Sequence, residues 1–526
     1  MIHKTLTNLM FLKVFCGLGM GLVGVLATTT SAGAQEELLS ERWFFAETVH
    51  FKVYSQLSSR QTSQFITELE LWRQLAAKVI QGEAPLPKAN VPNHVYFFSN
   101  TENFQHFSTS SDMAFFHSTP RANFMAYVPR NESSRKAVLH QYGHFLQNNF
   151  GSLQVPRWYE EGMASYLSRL SLTRAKPELE RVSDRANELM AGLNMELSME
   201  RFLYSDEALA SPRLIQIANL KSEALLHFLL HGYQEDQFVD RRDQLREYLE
   251  YLYVGRNHRF AFDLAFGITT AQLEQEFERY LSESLRPEGV VDTEPLQLPA
   301  EVEPEAIEVP ALTLMLGELA LNSSRIEMAE FFFKKIIEGE DAIARAYSGL
   351  ADALRFQSRA GRDQEIAGYF ELALELAPDN PDILLDYGEY WESELQDCEK
   401  VYPQVQRQQV MEDIKQKFLQ AMLLRENDAE VQLALAEYYL LEGQDWMLGR
   451  AHQEQAFSLL PADGFIMEAS VKYAIAAQEF DKAERLIVEM SQPIHFFGEP
   501  IYVTALRNQL ASRRRGENFD ACTDFP

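Results

Sequence analysis

Cysteine is scarce in this chain, with three in 526 residues. Cys16 lies in a segment that we expect to be removed on export, so the mature chain keeps only Cys398 and Cys522. Two cysteines cannot form the disulfide framework that stabilises small secreted domains, and the fold must depend on buried apolar side chains. An oxidising compartment would permit one bridge, and the sequence leaves open whether these two cysteines pair.

Positive charge is also under-represented. The chain has 48 lysine and arginine residues against 77 acidic residues, a formal net charge of -29. Removing residues 1–34 takes away Lys4 and Lys13 and no acid, which changes the net charge from -29 to -31. Such an acidic surface repels nucleic acid and anionic lipid, so we expect no nucleic-acid partner.

Long hydrophobic runs are missing, apart from one near the start. Residues 14–27 are apolar, follow Lys4 and Lys13, and precede the small residues 32–34. This order is typical of a signal peptide, and the run is too short and glycine-rich for a membrane span. We therefore predict a signal peptide over 1–34, export to the periplasm or the extracellular space, and no transmembrane domain in the mature chain. An uncleaved anchor is the alternative.

The strongest internal boundary is the segment 287–310, which is rich in proline and glutamate. Proline spacing and like-charge repulsion oppose helix formation, so the segment is predicted to be a stiff, solvated linker. A chain of this length exceeds one ordinary core. We expect one domain over 40–286 and a second over 311–497, followed by a tail over 498–526.

Small residues recur after the linker at intervals of 34, 37, 48 and 35 residues, namely at Gly317, Ala351, Gly388, Ala436 and Val471. Antiparallel helices approach closely only where their contact carries a small residue. The first interval is that of a tetratricopeptide repeat, and the 48-residue interval predicts an insertion around 392–416. The region resembles an all-α TPR solenoid of about five repeats. The resemblance implies a concave face that binds a protein or peptide partner, and the alternative is an array that only buttresses its neighbour.

The first half has a mixed pattern. Residues 49–55, 94–98 and 123–128 are rich in β-branched and aromatic side chains and are predicted strands. An amphipathic helix lies between the first two and ends near Gly82. After residue 161 the chain is expected to be wholly helical. The fold class predicted for 40–286 is α+β, with a short sheet against helices.

His140 and His144 lie one helical turn apart on a predicted helix. Asn131 can cap its start, Gly151 can end it, and apolar residues supply a face to bury it. The two imidazoles are then about 6 Å apart on one face, where both can reach a single ion. A third ligand must come from another element.

The segment 155–166 carries the remaining signal, with Trp158, Glu161, Gly162 and Ala164 in the order W-x-x-E-G-x-A. Together with the histidine pair, it resembles the gluzincin metallopeptidases, particularly the peptidase MA-like group. The resemblance extends over about 49–285 and implies that His140, His144 and Glu161 bind Zn²⁺.

Gln141 departs from the family pattern, because it stands where these enzymes have a catalytic glutamate. A carboxamide has almost the shape of a carboxylate but cannot accept a proton at neutral pH. Loss of a positioned base costs typically about 100 to 10,000-fold in rate. The sequence therefore predicts an exported pseudo-metallopeptidase with a zinc site and a protein-binding TPR array. An active zinc peptidase or hydrolase and a metal-free scaffold are the alternatives.

Four further residues have side chains suited to chemistry, namely Glu160, Asn219, His227 and His231. Glu160 is the nearest substitute base, but one residue from Glu161 on a helix it points about 100° away. Asn219 aligns with a tyrosine that stabilises an oxyanion in relatives. His227 and His231 form a second i,i+4 pair, which we expect to be packing histidines because apolar residues surround them.

Overall fold

The computed structural model describes residues 32–81, 91–108, 113–150, 155–171, 178–179, 197–204, 211–283, 296–339, 343–357, 361–443, 445–491, 500–517 and 522. Residues 1–31 of the predicted signal peptide lie outside these ranges. Helix α1, Ala32–Ser40, runs across the predicted cleavage position.

The first half contains a six-stranded mixed sheet with the spatial order β4-β5-β3-β2-β1-β8. Its strands are β1 Phe44–Glu47, β2 Phe51–Ser55, β3 Asn93–Phe97, β4 Ala114–Ser118, β5 Asn123–Tyr127 and β8 Glu305–Ala306. β2, β3 and β5 are parallel, whereas β4, β1 and β8 run antiparallel to their neighbours. A separate short pair joins β6, Leu170–Ser171, to β7, Glu178–Leu179.

Helices lie between these strands and after them in the chain. They are α2 Ser59–Gln81, α3 Thr101–Gln105, α4 Glu132–Phe150, α5 Arg157–Ser168, α6 Met199–Tyr204, α7 Pro212–His231, α8 Arg242–Tyr253, α9 His258–Phe266 and α10 Thr270–Glu283. The α+β class of the first half is confirmed. The prediction that the first half is wholly helical after residue 161 is wrong at the β6–β7 pair.

The second half is all helical in its described residues and consists of antiparallel pairs, so its repeat architecture is confirmed. The helices are α11 Val309–Asn322, α12 Ile326–Ile337, α13 Ala344–Phe356, α14 Asp363–Leu376, α15 Pro381–Gln396, α16 Gln404–Leu424, α17 Ala429–Glu442, α18 Trp446–Leu459, α19 Gly464–Ala476, α20 Phe480–Met490 and α21 Ile501–Arg514. The first helices of successive pairs, α11, α13, α15, α17, α19 and α21, lie side by side and form one face of the array.

Glycines set the close contacts within the pairs. A Cβ added at Gly317 would lie 2.7 Å from the ring of Phe333, and one at Gly388 would lie 2.2 Å from the ring of Phe418. In the second repeat the tight contact falls on Gly349 rather than on the predicted Ala351, and it joins that repeat to Phe333 of the preceding pair. The predicted insertion forms no element of its own but lengthens α15 and α16 to 16 and 21 residues.

The segment predicted as a solvated linker, 287–310, differs from that prediction where it is described. Leu296 is buried, and the backbone N–H of Gln297 donates to Oε1 of Gln74 at 2.7 Å. Glu305–Ala306 pairs with β1 at the sheet edge, where the neighbouring prolines cost no ladder hydrogen bond. The described part of the segment therefore packs against the first half.

The array covers the second face of the sheet. Alternate strand residues point to opposite sides, so one set packs with α2 and α4 and the other set packs with α11 to α14. The array-facing set comprises Tyr54, Tyr96, Phe98, Phe124 and Ala126. Tyr96 also donates its hydroxyl to the carbonyl of Met315 in α11 at 3.1 Å. Both faces of the sheet are therefore buried.

The predicted tail, 498–526, contains helix α21, which packs on α19 and α20 and so continues the array. Cys398 and Cys522 form a disulfide with a Cα–Cα distance of 5.6 Å, which answers the question that the sequence left open. Among the described helices, none has both the length and the apolar content needed to cross a bilayer.

Candidate metal centre

Helix α4 carries the histidine pair. Oδ1 of Asn131 accepts from the backbone N–H of Ser134 at 3.2 Å, which satisfies one free donor at the helix start. Val138, Leu139 and Leu146 are buried in the core. This burial fixes the rotation of the helix, so that His140 and His144 face α5.

Helix α5 brings the acidic residue to the same place, and small residues allow its close approach. A Cβ added at Gly162 would lie 2.6 Å from the backbone oxygen of Ser222, which places α7 directly against α5. On the other side, a Cβ at Gly143 would lie 3.4 Å from Cα of Ala164. Held between α4 and α7, α5 turns Glu161 toward the histidines.

The three predicted ligands meet with their donor atoms facing one another. Nε2 of His140 and Nε2 of His144 are 3.2 Å apart. Oε2 of Glu161 lies 3.6 Å from the first and 3.3 Å from the second. Among the described residues, these form the one cluster of His, Cys, Asp and Glu with a spacing suited to a metal ion.

The donor set fits zinc. Two imidazole nitrogens and one carboxylate oxygen are the ligands of a common type of catalytic zinc site. Ligands about 2.1 Å from a tetrahedral ion are about 3.4 Å from one another, and the three observed separations bracket that value. The side chains of His140, His144 and Glu161 are 16%, 10% and 4% exposed, so the cluster is reached by solvent mainly from the His140 side.

Both histidines use their other ring nitrogen for an outer contact. Nδ1 of His144 donates to Oε1 of Glu160 at 3.1 Å, and Nδ2 of Asn148 donates to the same oxygen at 2.6 Å. Nδ1 of His140 lies 3.4 Å from Oγ of Ser165. Such partners fix the ring orientation and leave Nε2 available to the ion.

The protonation of His144 follows from the same contacts. Burial by itself would lower the pKa of His144, but the hydrogen bonds to Glu160 and Glu161 outweigh it and raise that pKa to about 9. Without a metal, His144 is therefore a cation between two carboxylates. A metal ion must displace that proton to bind.

Gln141 lies in α4 directly after His140 and is half-buried. Asn219 lies in α7, and its Oδ1 accepts from the guanidinium of Arg157 at 3.2 Å. Burial lowers the pKa of Arg157, and the charges of Glu161 and Glu160 oppose that shift. The first residue of α5 thus adds a positive charge near the cluster, which sequence analysis missed.

The second histidine pair does not join the cluster. Nδ1 of His227 lies 2.6 Å from the hydroxyl of Tyr280, and Nε2 of His231 lies 3.1 Å from that of Tyr166. Both histidines are buried, and burial lowers the pKa of His231 to about 4. They are packed core residues.

Known proteins support no family assignment for this chain. No family model matches the chain, and no curated protein matches it. Among solved structures, the chain is similar to a thermophilic TPR protein from Thermus thermophilus, with 16% identity and a TM-score of 0.32. That similarity covers 39% of this chain and 99% of the other.

Proposed function

We propose that this protein is an exported, zinc-binding pseudo-metallopeptidase. The observation that carries the proposal is the convergence of His140 Nε2, His144 Nε2 and Glu161 Oε2 within 3.2 to 3.6 Å of one another. Zinc bound there would supply Lewis-acid polarisation of a substrate carbonyl. His140 and His144 would hold it through Nε2, and Glu161 through one carboxylate oxygen.

Gln141 is what distinguishes this site from a working peptidase. Its carboxamide can donate or accept a hydrogen bond at the position of the family's glutamate, but it cannot take up a proton. Glu160, the nearest other carboxylate, accepts from His144 and Asn148 through Oε1. That engagement favours an outer positioning role for Glu160 over the role of base.

Metal analysis of the full-length protein tests the zinc site. We expect about one zinc per chain in the wild type and a large loss of zinc in His140→Ala, His144→Ala and Glu161→Gln. His258→Ala serves as the matched control, because His258 is exposed at the start of α9. Wild-type protein that takes up no zinc would favour the alternative of a metal-free scaffold.

Export to the periplasm or the extracellular space is supported by the disulfide between Cys398 and Cys522. Disulfides persist in oxidising compartments and are rare in the cytosol. Sequencing of the amino terminus of secreted protein tests the proposed removal of residues 1–34. A mature chain that still begins at Met1 would favour the alternative of an uncleaved anchor.

The array has two candidate roles. Its resemblance to TPR proteins implies binding of a protein or peptide partner. The packing of α11 to α14 against the sheet favours a buttress for the metal-binding half. Cross-linking of tagged full-length protein in its native compartment distinguishes the two roles. A partner-binding array should give a reproducible cross-linked complex with a second protein. That complex should be absent when the protein is cross-linked without a partner.

A further inference from the structure

The first helices of the array contact the first half of the chain at several points. The carbonyl of Met315 in α11 accepts from the hydroxyl of Tyr96 at 3.1 Å. In the turn between β4 and β5, Arg121 pairs with Asp386 of α15 at 2.7 Å and with Glu430 of α17 at 2.8 Å. The array is therefore fixed to the first half along much of its length.

A further contact falls on α4, the helix that bears the histidines. The turn at 460–463 joins α18 to α19, and its Ala462 donates from the backbone N–H to Oδ1 of Asn149 at 3.3 Å. Asn149 lies in the last turn of α4 and also donates from Nδ2 to the carbonyl of Phe145 at 3.1 Å. Leu460 of the turn is buried in the same apolar cluster as Phe145. Polar and apolar contacts therefore join this turn to α4.

The last turn of α4 supports the metal centre on its other side. Nδ2 of Asn148 donates to Oε1 of Glu160 at 2.6 Å, and the same oxygen accepts from Nδ1 of His144. Nε2 of Gln147 donates to the backbone carbonyl of Glu160 at 3.2 Å. Three consecutive residues, 147–149, therefore connect the array to the acid that orients a proposed zinc ligand.

A connection of this kind can transmit a displacement from the array to the ion. Chains of packed side chains and hydrogen bonds carry energetic coupling between distant sites. A shift of the last turn of α4 moves Asn148 relative to α5 and so changes the support of Glu160. Loss of the outer partner of a ligating histidine typically costs about 10 to 100-fold in metal affinity. A contact one step further out should have a smaller effect in the same direction.

We propose that the turn at 460–463 is a positioning element of the metal centre, through which the array sets the zinc affinity of the first half. Asn149 and Asn148 are positioning residues, because they act through Glu160 and not on the ion. This inference rests on the proposed zinc site. It gives the array a regulatory role, since a displacement of the turn weakens zinc binding.

The zinc affinity of full-length variants, measured by competition with a chelator, tests the inference. Asn149→Ala should weaken zinc binding by about three- to tenfold, because α4 loses a contact with the turn. Phe465→Ala should also weaken it, since Phe465 of α19 packs against the cluster that contains Leu460. Asn427→Ala is the matched control and should leave the affinity unchanged. Asn427 is exposed in the equivalent turn between α16 and α17, where it accepts from Gln455 of the array.

A double-mutant cycle separates positioning from a general loss of structure. If Asn149 acts through Glu160, Asn149→Ala should cost little further zinc affinity in a Glu160→Ala background. Additive losses in the double variant would show two independent effects and would overturn the inference. An unchanged affinity in Asn149→Ala or in Phe465→Ala would overturn it as well.

A measurement without metal keeps this inference distinct from the zinc site itself. In metal-free protein with isotope-labelled histidine, the Nδ1 proton of His144 should give an NMR signal that His144→Ala removes. Asn149→Ala should shift or broaden that signal, whereas Asn427→Ala should not. Wild-type protein that binds no zinc would contradict the proposed function. An unchanged His144 signal in Asn149→Ala would contradict the positioning role.

Discussion

Nδ1 of His144 donates a hydrogen bond to Oε1 of Glu160 at 3.1 Å, on the side of the ring opposite the proposed ion. A carboxylate behind a ligating histidine fixes the ring and raises its basicity. Glu160 therefore orients His144 from behind, whereas its neighbour Glu161 is itself a proposed ligand of the ion.

Glu160→Ala should weaken zinc binding by about 10 to 100-fold, because His144 loses the acceptor that orients it. Glu160→Gln should cost less, since its amide oxygen can still accept from Nδ1. Competition with a chelator measures both affinities. Glu132→Ala, in an exposed acid at the start of the same helix, should leave zinc binding unchanged. Equal affinities for all three variants would show that Glu160 does not support the site.

Gly162→Ala should destabilise the fold by about 1 to 3 kcal/mol and reduce zinc occupancy, because the added Cβ would displace α7 from α5. The clash is with the backbone oxygen of Ser222 at 2.6 Å, which no side-chain rotation relieves. Gly368→Ala provides the matched control, since a Cβ there meets nothing within 4 Å. Denaturant unfolding should show that variant unchanged or stabilised by up to about 1 kcal/mol.

Local signals predicted much of the site. The start of α4 was predictable from Asn131, because its cap needs only residues within one turn. The approach of α5 to α4 was predictable only through the family resemblance, since Gly143 and Ala164 meet across two helices. As predicted, Glu160 points away from the proposed ion. It contacts the outer nitrogen of His144. Its contact with His144 could not be foreseen, because it depends on how the two helices cross.

The boundary between the halves was predicted less well. Prolines and glutamates in 287–310 indicated a solvated linker, yet Glu305–Ala306 forms an edge strand there. A two-residue strand is too short to show a periodic pattern. It forms by pairing with Phe44 and Phe45, which lie more than 250 residues earlier in the chain. The ion pairs of Arg121 with Asp386 and Glu430 could not be predicted either, because these acids come from another region of the sequence.

Reduction of the disulfide should lower the stability of the array. The bridge joins residues 124 positions apart, and removal of such a constraint on the unfolded chain typically costs about 2 to 4 kcal/mol. Thermal unfolding with and without reductant measures the effect. The double variant Cys398→Ser with Cys522→Ser should unfold like the reduced wild type and should not respond to reductant. A wild-type midpoint that is insensitive to reductant would contradict the expectation.

Asp463 should make the stability of the array depend on pH. It caps α19 by accepting from the backbone N–H groups of Phe465 and Ile466, and burial raises its pKa from 3.8 to about 7. Because the folded state holds this proton more tightly than the unfolded state, the contribution is fully present below pH 3.8 and is lost as the pH rises through about 7.

Asp463→Asn removes this dependence, since an amide can cap the helix and does not titrate. The urea midpoint of Asp463→Asn relative to wild type should therefore rise from about pH 4 to about pH 8. A difference that stays constant over this range would show that the carboxyl does not titrate in the folded protein there.

The most direct test of a metal site without its base is the peptidase activity of zinc-loaded Gln141→Glu beside zinc-loaded wild type. Restoring a carboxylate next to His140 should raise the rate by about 100 to 10,000-fold, because a proton acceptor returns to the site while the ligands stay in place. The double variant Gln141→Glu with His144→Ala should lose that gain. Wild-type protein that already cleaves peptides, with no increase on Gln141→Glu, would contradict the account.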